Sequence, residues 1–173
     1  MKITLPDNSS RELPEGSSGY DLAKDIGPGL AKSAVAVSVD GVQRDLHDVI
    51  EGDASVSIIT IDSDQGIEIM RHTLTAQVLA RAIKNLYPKS KLAIGPTIDD
   101  GFYYDVESEK SISSDDLSKI EDEMKKIIKT KSSITKKLVS KSEALKVFKE
   151  NKESYKEIIV NESKQKDNFQ LYY

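Results

Sequence analysis

Two histidines, His47 and His72, are the only imidazoles in this 173-residue chain, and they stand 25 positions apart. Cysteine is absent, which excludes thiolate nucleophiles, disulfides and cysteine-ligated zinc within the chain. Any mononuclear metal site would therefore have to lean on carboxylates. The adjacent acids Asp99-Asp100 precede Gly101, and turn chemistry is the stronger reading for them than a catalytic carboxylate pair. His47, within Leu46-His47-Asp48-Val49, reads as a hairpin-surface residue. Lys125, Lys126, Lys129, Lys131, Lys136 and Lys137 form a local basic run. It suits a solvated helix face followed by a loop, or a set of phosphate contacts whose affinity would be salt-dependent and indifferent to sequence.

The chain as a whole is acidic, with a formal net charge of −4. A polyanion could be held only by a local basic face, not by bulk charge. Residues 1–106 carry 10 Lys+Arg against 16 Asp+Glu, a balance of −6; residues 107–173 carry 15 against 13, a balance of +2. Composition thus shifts near 107, and a softer break falls at Ile61-Asp62-Ser63-Asp64. The length fits one medium domain or two small ones. No apolar run approaches the ~18–20 residues of a membrane span, and no signal-peptide core follows Lys2. A reducing, cytoplasmic setting fits the missing cysteines.

The elements that would position these residues follow from pattern. Met1–Leu5 is β-rich and closed by the turn Pro6-Asp7-Asn8; Ser10–Leu13 can pair back on it. Ser17 or Ser18 caps a helix over Tyr20–Ile26, which Gly27-Pro28-Gly29 breaks. Ala34–Val39 is the strongest strand, Asp40-Gly41 a hairpin turn, and Val42 begins the return. Ser55–Ile61 is a further β-branched run. Two hairpins, a helix and a last strand within about 60 residues outline a β-grasp fold.

Beyond it, Asp62 with Gln65 predicts a capping box for a long helix. Its apolar positions are Ile67, Met70, Leu74, Val78, Ala82, Ile83 and Leu86, and Pro88 ends it. Strands are expected over Leu92–Ile94 and Phe102–Val106, with Tyr103 and Tyr104 alternating so that one faces inward. Ser113 with Asp116 opens a helix bearing Leu117, Ile120, Met124, Ile127 and Ile128. Ile134–Val139 reads as a strand, Ser140 with Glu143 caps another helix, a short helix surrounds Tyr155–Val160, and Phe169–Tyr173 is a strand. Its abrupt end reads as a truncated domain, with an edge that would invite association.

These residues carry a resemblance. Ile3-Thr4-Leu5-Pro6-Asp7-Asn8-Ser9, Asp25-Ile26-Gly27-Pro28-Gly29-Leu30-Ala31-Lys32 and Ser57-Ile58-Ile59-Thr60 resemble the TGS domain that begins threonyl-tRNA synthetases. Arg71-His72, Ala82-Ile83-Lys84, Leu86-Tyr87-Pro88, Leu92-Ala93-Ile94-Gly95-Pro96 and Asp100-Gly101-Phe102-Tyr103-Tyr104-Asp105 resemble the start of that family's editing domain. Glu153-Ser154-Tyr155-Lys156 and Leu171-Tyr172-Tyr173 continue in the same order. The resemblance implies an α+β protein: a β-grasp (ubiquitin-like) TGS domain at 1–61, then the front part of an α/β editing-type domain at 62–173.

The resemblance also implies a function. The parent would be a class II threonine–tRNA ligase, whose later domains use ATP, magnesium and zinc and form a homodimer. This region would need no cofactor or metal of its own. Its partners would be the rest of the synthetase chain and the acceptor arm of threonine tRNA, with Lys125, Lys126, Lys129, Lys136 and Lys137 as the candidate contacts. Its activity would be hydrolysis of serine mischarged onto that tRNA, in a pocket that draws on a His-x-x-x-His pair. The matching pocket positions are His72, Thr73, Gln77, Tyr104 and Lys156. A free-standing TGS-containing tRNA-binding or regulatory module without catalysis is the alternative.

The histidine pair is where this sequence departs from that family. Residues i and i+4 of an α-helix lie about 40° apart and can share one pocket. Four residues after His72 stands Ala76; Gln77, at five, lies about 140° around. Anchored on Ala82-Ile83-Lys84, the two positions fall on Thr73 and Gln77; anchored on Arg71-His72, one residue has been inserted, which a π-bulge could absorb. Glutamine does not titrate near neutral pH and cannot serve as a general base there. The expectation is an impaired editing site. His72 fits a surface residue as well as a pocket one, and Lys156, one of 15 lysines after position 107, would otherwise be a solvated charge.

Overall fold

A computed structural model describes residues 1–173. They form two compact units, Met1–Met70 and Arg71–Tyr173.

In the first unit, β1 (Lys2–Thr4), β2 (Ser10–Glu12), β3 (Ala34–Val39), β4 (Val42–Asp45) and β5 (Ala54–Thr60) make one sheet in the order β2-β1-β5-β3-β4. The β1–β5 pairing is parallel and the others are antiparallel. Asp40 and Gly41 both adopt positive φ (50° and 81°) between the paired Val39 and Val42, the twist a two-residue hairpin needs. Helix α1 (Gly19–Ile26) crosses the sheet. Ser18 caps it through a reciprocal box with Asp21, whose carboxylate is held below its ordinary pKa by the Ser18 backbone and hydroxyl donors. At Gly19 an added Cβ would lie 2.7 Å from Cβ of Val37, so α1 seats on β3 only because no side chain intervenes. Leu22 from α1 joins Ile3, Leu13, Val37, Val39, Ile50 and Val56 in the core. Each such side chain contributes about 1.5–3 kcal/mol against remaining in water.

Gly27-Pro28-Gly29 does more than break α1. A second helix, α2 (Pro28–Ser33), starts there, because proline at the first helical position loses no needed N–H and arrives with φ already set. The next cap also differs from expectation. Helix α3 (Asp64–Thr73) is capped by Ser63, whose hydroxyl accepts the Gly66 N–H at 3.1 Å, rather than by Asp62. The Asp62 carboxylate is engaged instead by the Thr60 side chain.

The second unit begins within that helical run. A π-helical segment, Leu74–Leu79, separates α3 from α4 (Ala80–Leu86). The run stops before Tyr87, since the residue preceding a proline is driven out of the helical region. Short antiparallel pairs follow: β6 (Lys91–Leu92) with β9 (Val106–Glu107), and β7 (Thr97–Ile98) with β8 (Gly101–Phe102). The expected strands at Leu92–Ile94 and Phe102–Val106 are thus shorter and divided. Asp99-Asp100 form the β7–β8 turn, as their position before a glycine implies.

Helix α5 (Ser114–Lys129) opens on the Ser113/Asp116 box and buries Ile120 with Ala80, Ile83 and Leu92. Leu117 and Ile128, also on its apolar pattern, remain more than half exposed. A last group, β10 (Lys136–Val139), α6 (Lys141–Glu150), α7 (Ser154–Glu162) and β11 (Phe169–Tyr172), packs around Val139, Ala144 and Val160. Strand β11 pairs antiparallel with β10, so one edge of the final strand is satisfied within the chain. No helix is long and apolar enough to cross a membrane.

Candidate functional site

The π-helical segment starts two residues after His72 and contains Gln77. Its ladder is i→i+5: the Ala80 N–H donates to the Thr75 carbonyl. Thr75 has a local reason to disturb the ordinary ladder. Its hydroxyl donates to the Arg71 carbonyl at 2.8 Å, adding a side-chain donor at the acceptor that lies one α-helical turn back. A π turn takes in one residue more than an α turn. That is the amount by which the His72–Gln77 spacing exceeds the i, i+4 spacing of a paired-histidine pocket. The segment Leu74–Leu79 thus adds one residue to the turn that follows His72. His72 is exposed, while Thr73 and Gln77 are half-buried.

Thr75 itself is fully buried, and it faces the loop between β6 and β7. A Cβ at Gly95 would meet Cγ2 of Thr75 at 2.5 Å and Cδ2 and Cε2 of Tyr104 at 2.4 and 2.7 Å. The bare glycine thus leaves room for both the π turn and the Tyr104 ring to pack against the loop. Tyr104 faces the interior and its neighbour Tyr103 is 54% exposed, the alternation expected of a strand-like segment. Burial raises the Tyr104 pKa above the ordinary tyrosine value, and the negative charge of Glu153 adds to the rise. Tyr104 also lines an open groove of about 610 Å³ with Leu79, Ile83, Val106, Ile112 and Ile120.

Glu153 is the chain's one buried charged residue. It stands at the N-cap of α7 without capping it by its side chain; the carboxylate turns inward instead. Lys84, one turn from the end of α4, donates to Oε1 of Glu153 at 2.7 Å and to the carbonyl of buried Ser90 at 2.8 Å. Oε2 of Glu153 is buried and has no hydrogen-bond partner. Lys156 lies three residues further along α7, with Nζ 5.8 Å from the centroid of the Phe148 ring. Burial pushes the Lys156 pKa below the ordinary lysine value; the Glu153 carboxylate opposes this, and Lys84 adds to it.

The structure therefore groups Thr75, Gly95, Tyr104, Lys84, Glu153 and Lys156, drawn from the π turn, α4, the β6–β7 loop and α7. Of the sequence candidates, Tyr104 and Lys156 belong to this group; His72 lies on the exposed side of the helix. Nothing in the sequence pattern marks Thr75, Lys84 or Glu153 as site residues. Gly95 carried a signal, a glycine before Pro96, whereas nothing in the spacing of Glu153 marks it as buried.

The lysines of the basic run fall on two different elements. Lys125 and Lys126 on α5 are engaged by Glu121 (2.7 Å) and Glu123 (3.2 Å) of the same helix, and Lys129 is exposed near its end. Lys136 and Lys137 occupy alternate faces of β10, opposite Tyr172 and Leu171. No group of three or more His, Asp or Glu side chains converges as a metal site among the described residues.

Residues 1–60 match the family model of the TGS domain. The five-stranded sheet with α1 across it is that domain, and it ends with β5. TGS domains occur in threonyl-tRNA synthetases and also in other proteins, GTPase-related ones among them.

Proposed function

We propose that the chain is the front region of a class II threonine–tRNA ligase, and that its second unit is an editing-type domain acting on seryl-tRNA(Thr). In the full-length enzyme the reaction would join threonine to its tRNA at the expense of ATP, with magnesium and zinc bound elsewhere. The region described here would grip the acceptor arm and clear the wrong amino acid, in the cytoplasm. The TGS domain supports a translation or GTPase-related role, and the motifs after residue 70 favour the first.

The observation that carries the reading is the π turn at Leu74–Leu79. A one-residue insertion in an ordinary surface helix shifts the register of everything after it. A π turn is what would take such a residue up locally, and this one carries a buried threonine that, with Tyr104, closes on Gly95. Half-buried Lys156, its ammonium partly desolvated, is the group in this set best suited to exchange a proton with a bound ester or water. Gln77 in the second histidine position can orient a ligand by hydrogen bonds but cannot carry a proton. The site binds the aminoacyl end and hydrolyses it poorly.

Deacylation of seryl-tRNA(Thr) by the full chain tests this. The parent chain is expected to hydrolyse it slowly or not at all, and Gln77→His to raise the rate without restoring full activity, since one proton-transfer group contributes about 10²–10⁴-fold only when its partners are in place. Fast turnover by the unaltered chain would contradict an impaired site.

A further inference from the structure

We infer that Glu153 is a positioning residue for Lys156: one carboxylate oxygen is fixed by Lys84, and the other, buried and unpartnered, is the acceptor on which the Lys156 ammonium docks. Three observations carry this. A carboxylate oxygen sealed from water without a donor is left with its desolvation uncompensated, and such orphans in folded proteins call for a reason. Oε2 of Glu153 is such an oxygen, whereas Oε1 is held by a short ion pair. Lys156 is the cation placed to supply the missing donor. Residues three apart on a helix are surface neighbours, and the Glu153 N–H donates to the carbonyl of Phe148, the residue whose ring lies beside Lys156 Nζ.

The groups around Lys156 give the arrangement its sense. Glu153 on its own helix favours the ammonium; Lys84 from α4 repels it; from α6 it meets the Phe148 ring; Tyr104 is coupled to the same carboxylate. Lys91 and Glu107 of the β6–β9 pair are occupied with each other and with the Tyr155 hydroxyl. One carboxylate between two lysines leaves a single surplus positive charge. Lys156 docked on Oε2 is held as ammonium; released toward the Phe148 ring, it loses its counter-charge and gives up its proton more easily. Glu153 thus selects between a resting and a proton-accepting lysine. As a statement about editing this rests on the function proposed above. Its test is made on the lysine alone, so a chain that fails to hydrolyse seryl-tRNA leaves it standing.

The experiment is an NMR titration of the full chain with isotope-labelled lysine, the Lys156 signal being assigned by its loss in Lys156→Arg. In Glu153→Gln the midpoint should move down, further from an ordinary lysine, because the counter-charge is gone while burial and Lys84 remain. In Lys84→Gln it should move up, because a repelling charge is removed and the carboxylate is released to Lys156. Amide hydrogen exchange checks each fold; Glu153→Gln carries the decision, and if it fails to fold, Glu153→Ala, whose midpoint should likewise move down, takes its place. A folded Glu153→Gln whose midpoint stays or rises, or a folded Lys84→Gln whose midpoint stays or falls, overturns the inference. A general loosening of the unit would drive both variants up toward ordinary lysine, so the fall in Glu153→Gln is what separates positioning from mere structure.

Discussion

Alanine at Gly95 should destabilise the second unit by about 1–3 kcal/mol, the usual cost of an extra carbon in a filled space, and expel the Tyr104 ring. The added methyl would sit 2.4 Å from Tyr104 and 2.5 Å from Thr75, well inside contact distance for both. Thr75 cannot yield easily: it is fully buried, and its hydroxyl and carbonyl are both tied into the helix around it. Tyr104 is only half-buried and lines an open groove, so the ring should swing outward. Two measurements read this separately. Amide exchange across the π turn reports the stability loss. The Tyr104 titration reports the movement, and its midpoint should fall toward an ordinary tyrosine because burial is the main cause of its elevation. Unchanged values for both would mean that the close packing of Gly95 has no energetic weight.

Methionine at Lys84 should be costlier, about 2–4 kcal/mol, since removing one partner of a buried pair abandons the other charge in a poor solvent. The cost stays below that of a fully sealed pair because the Lys84 side chain is 31% exposed, so water partly screens the pair. Methionine keeps most of the stem's length and packing, and the loss would therefore report the charge rather than a cavity. It should appear as faster amide exchange in α4 and α7 together, because the pair joins Lys84 on the first to Glu153 at the head of the second. A loss under half a kilocalorie, or one confined to α4, would show that Glu153 finds equal compensation elsewhere. Docking of Lys156 on the vacated carboxylate would soften the effect without abolishing it.

The first unit was legible because its signals are local. Asp40-Gly41 specifies its turn by backbone conformation, Ser18 with Asp21 specifies a cap, and the β-branched runs specify strands. Where local chemistry competes, reading failed by small amounts. Ser63 displaced Asp62 as the cap because its hydroxyl reaches a helix N–H, and Pro28 began a helix where it appeared only to end one. The second unit was read less well because its strands are two residues long, too short for alternation to declare itself. At the candidate site, Tyr104 and Lys156 were reached through resemblance. Glu153 and Lys84 were not, because an ion pair between residues 69 positions apart leaves no trace in spacing. The π turn was conceivable from the His72–Gln77 interval, but only the buried Thr75 hydroxyl gives it a cause.

Whether the second unit receives the aminoacyl end of a tRNA is decided most directly by titrating the full chain with a 3′-seryl-adenosine in which an amide replaces the labile ester, observed by residue-resolved NMR. Binding should perturb Gln77, Gly95, Tyr104 and Lys156 together, saturably and without turnover. Perturbations limited to residues 1–60, or none at any concentration, would contradict a pocket built for that ligand.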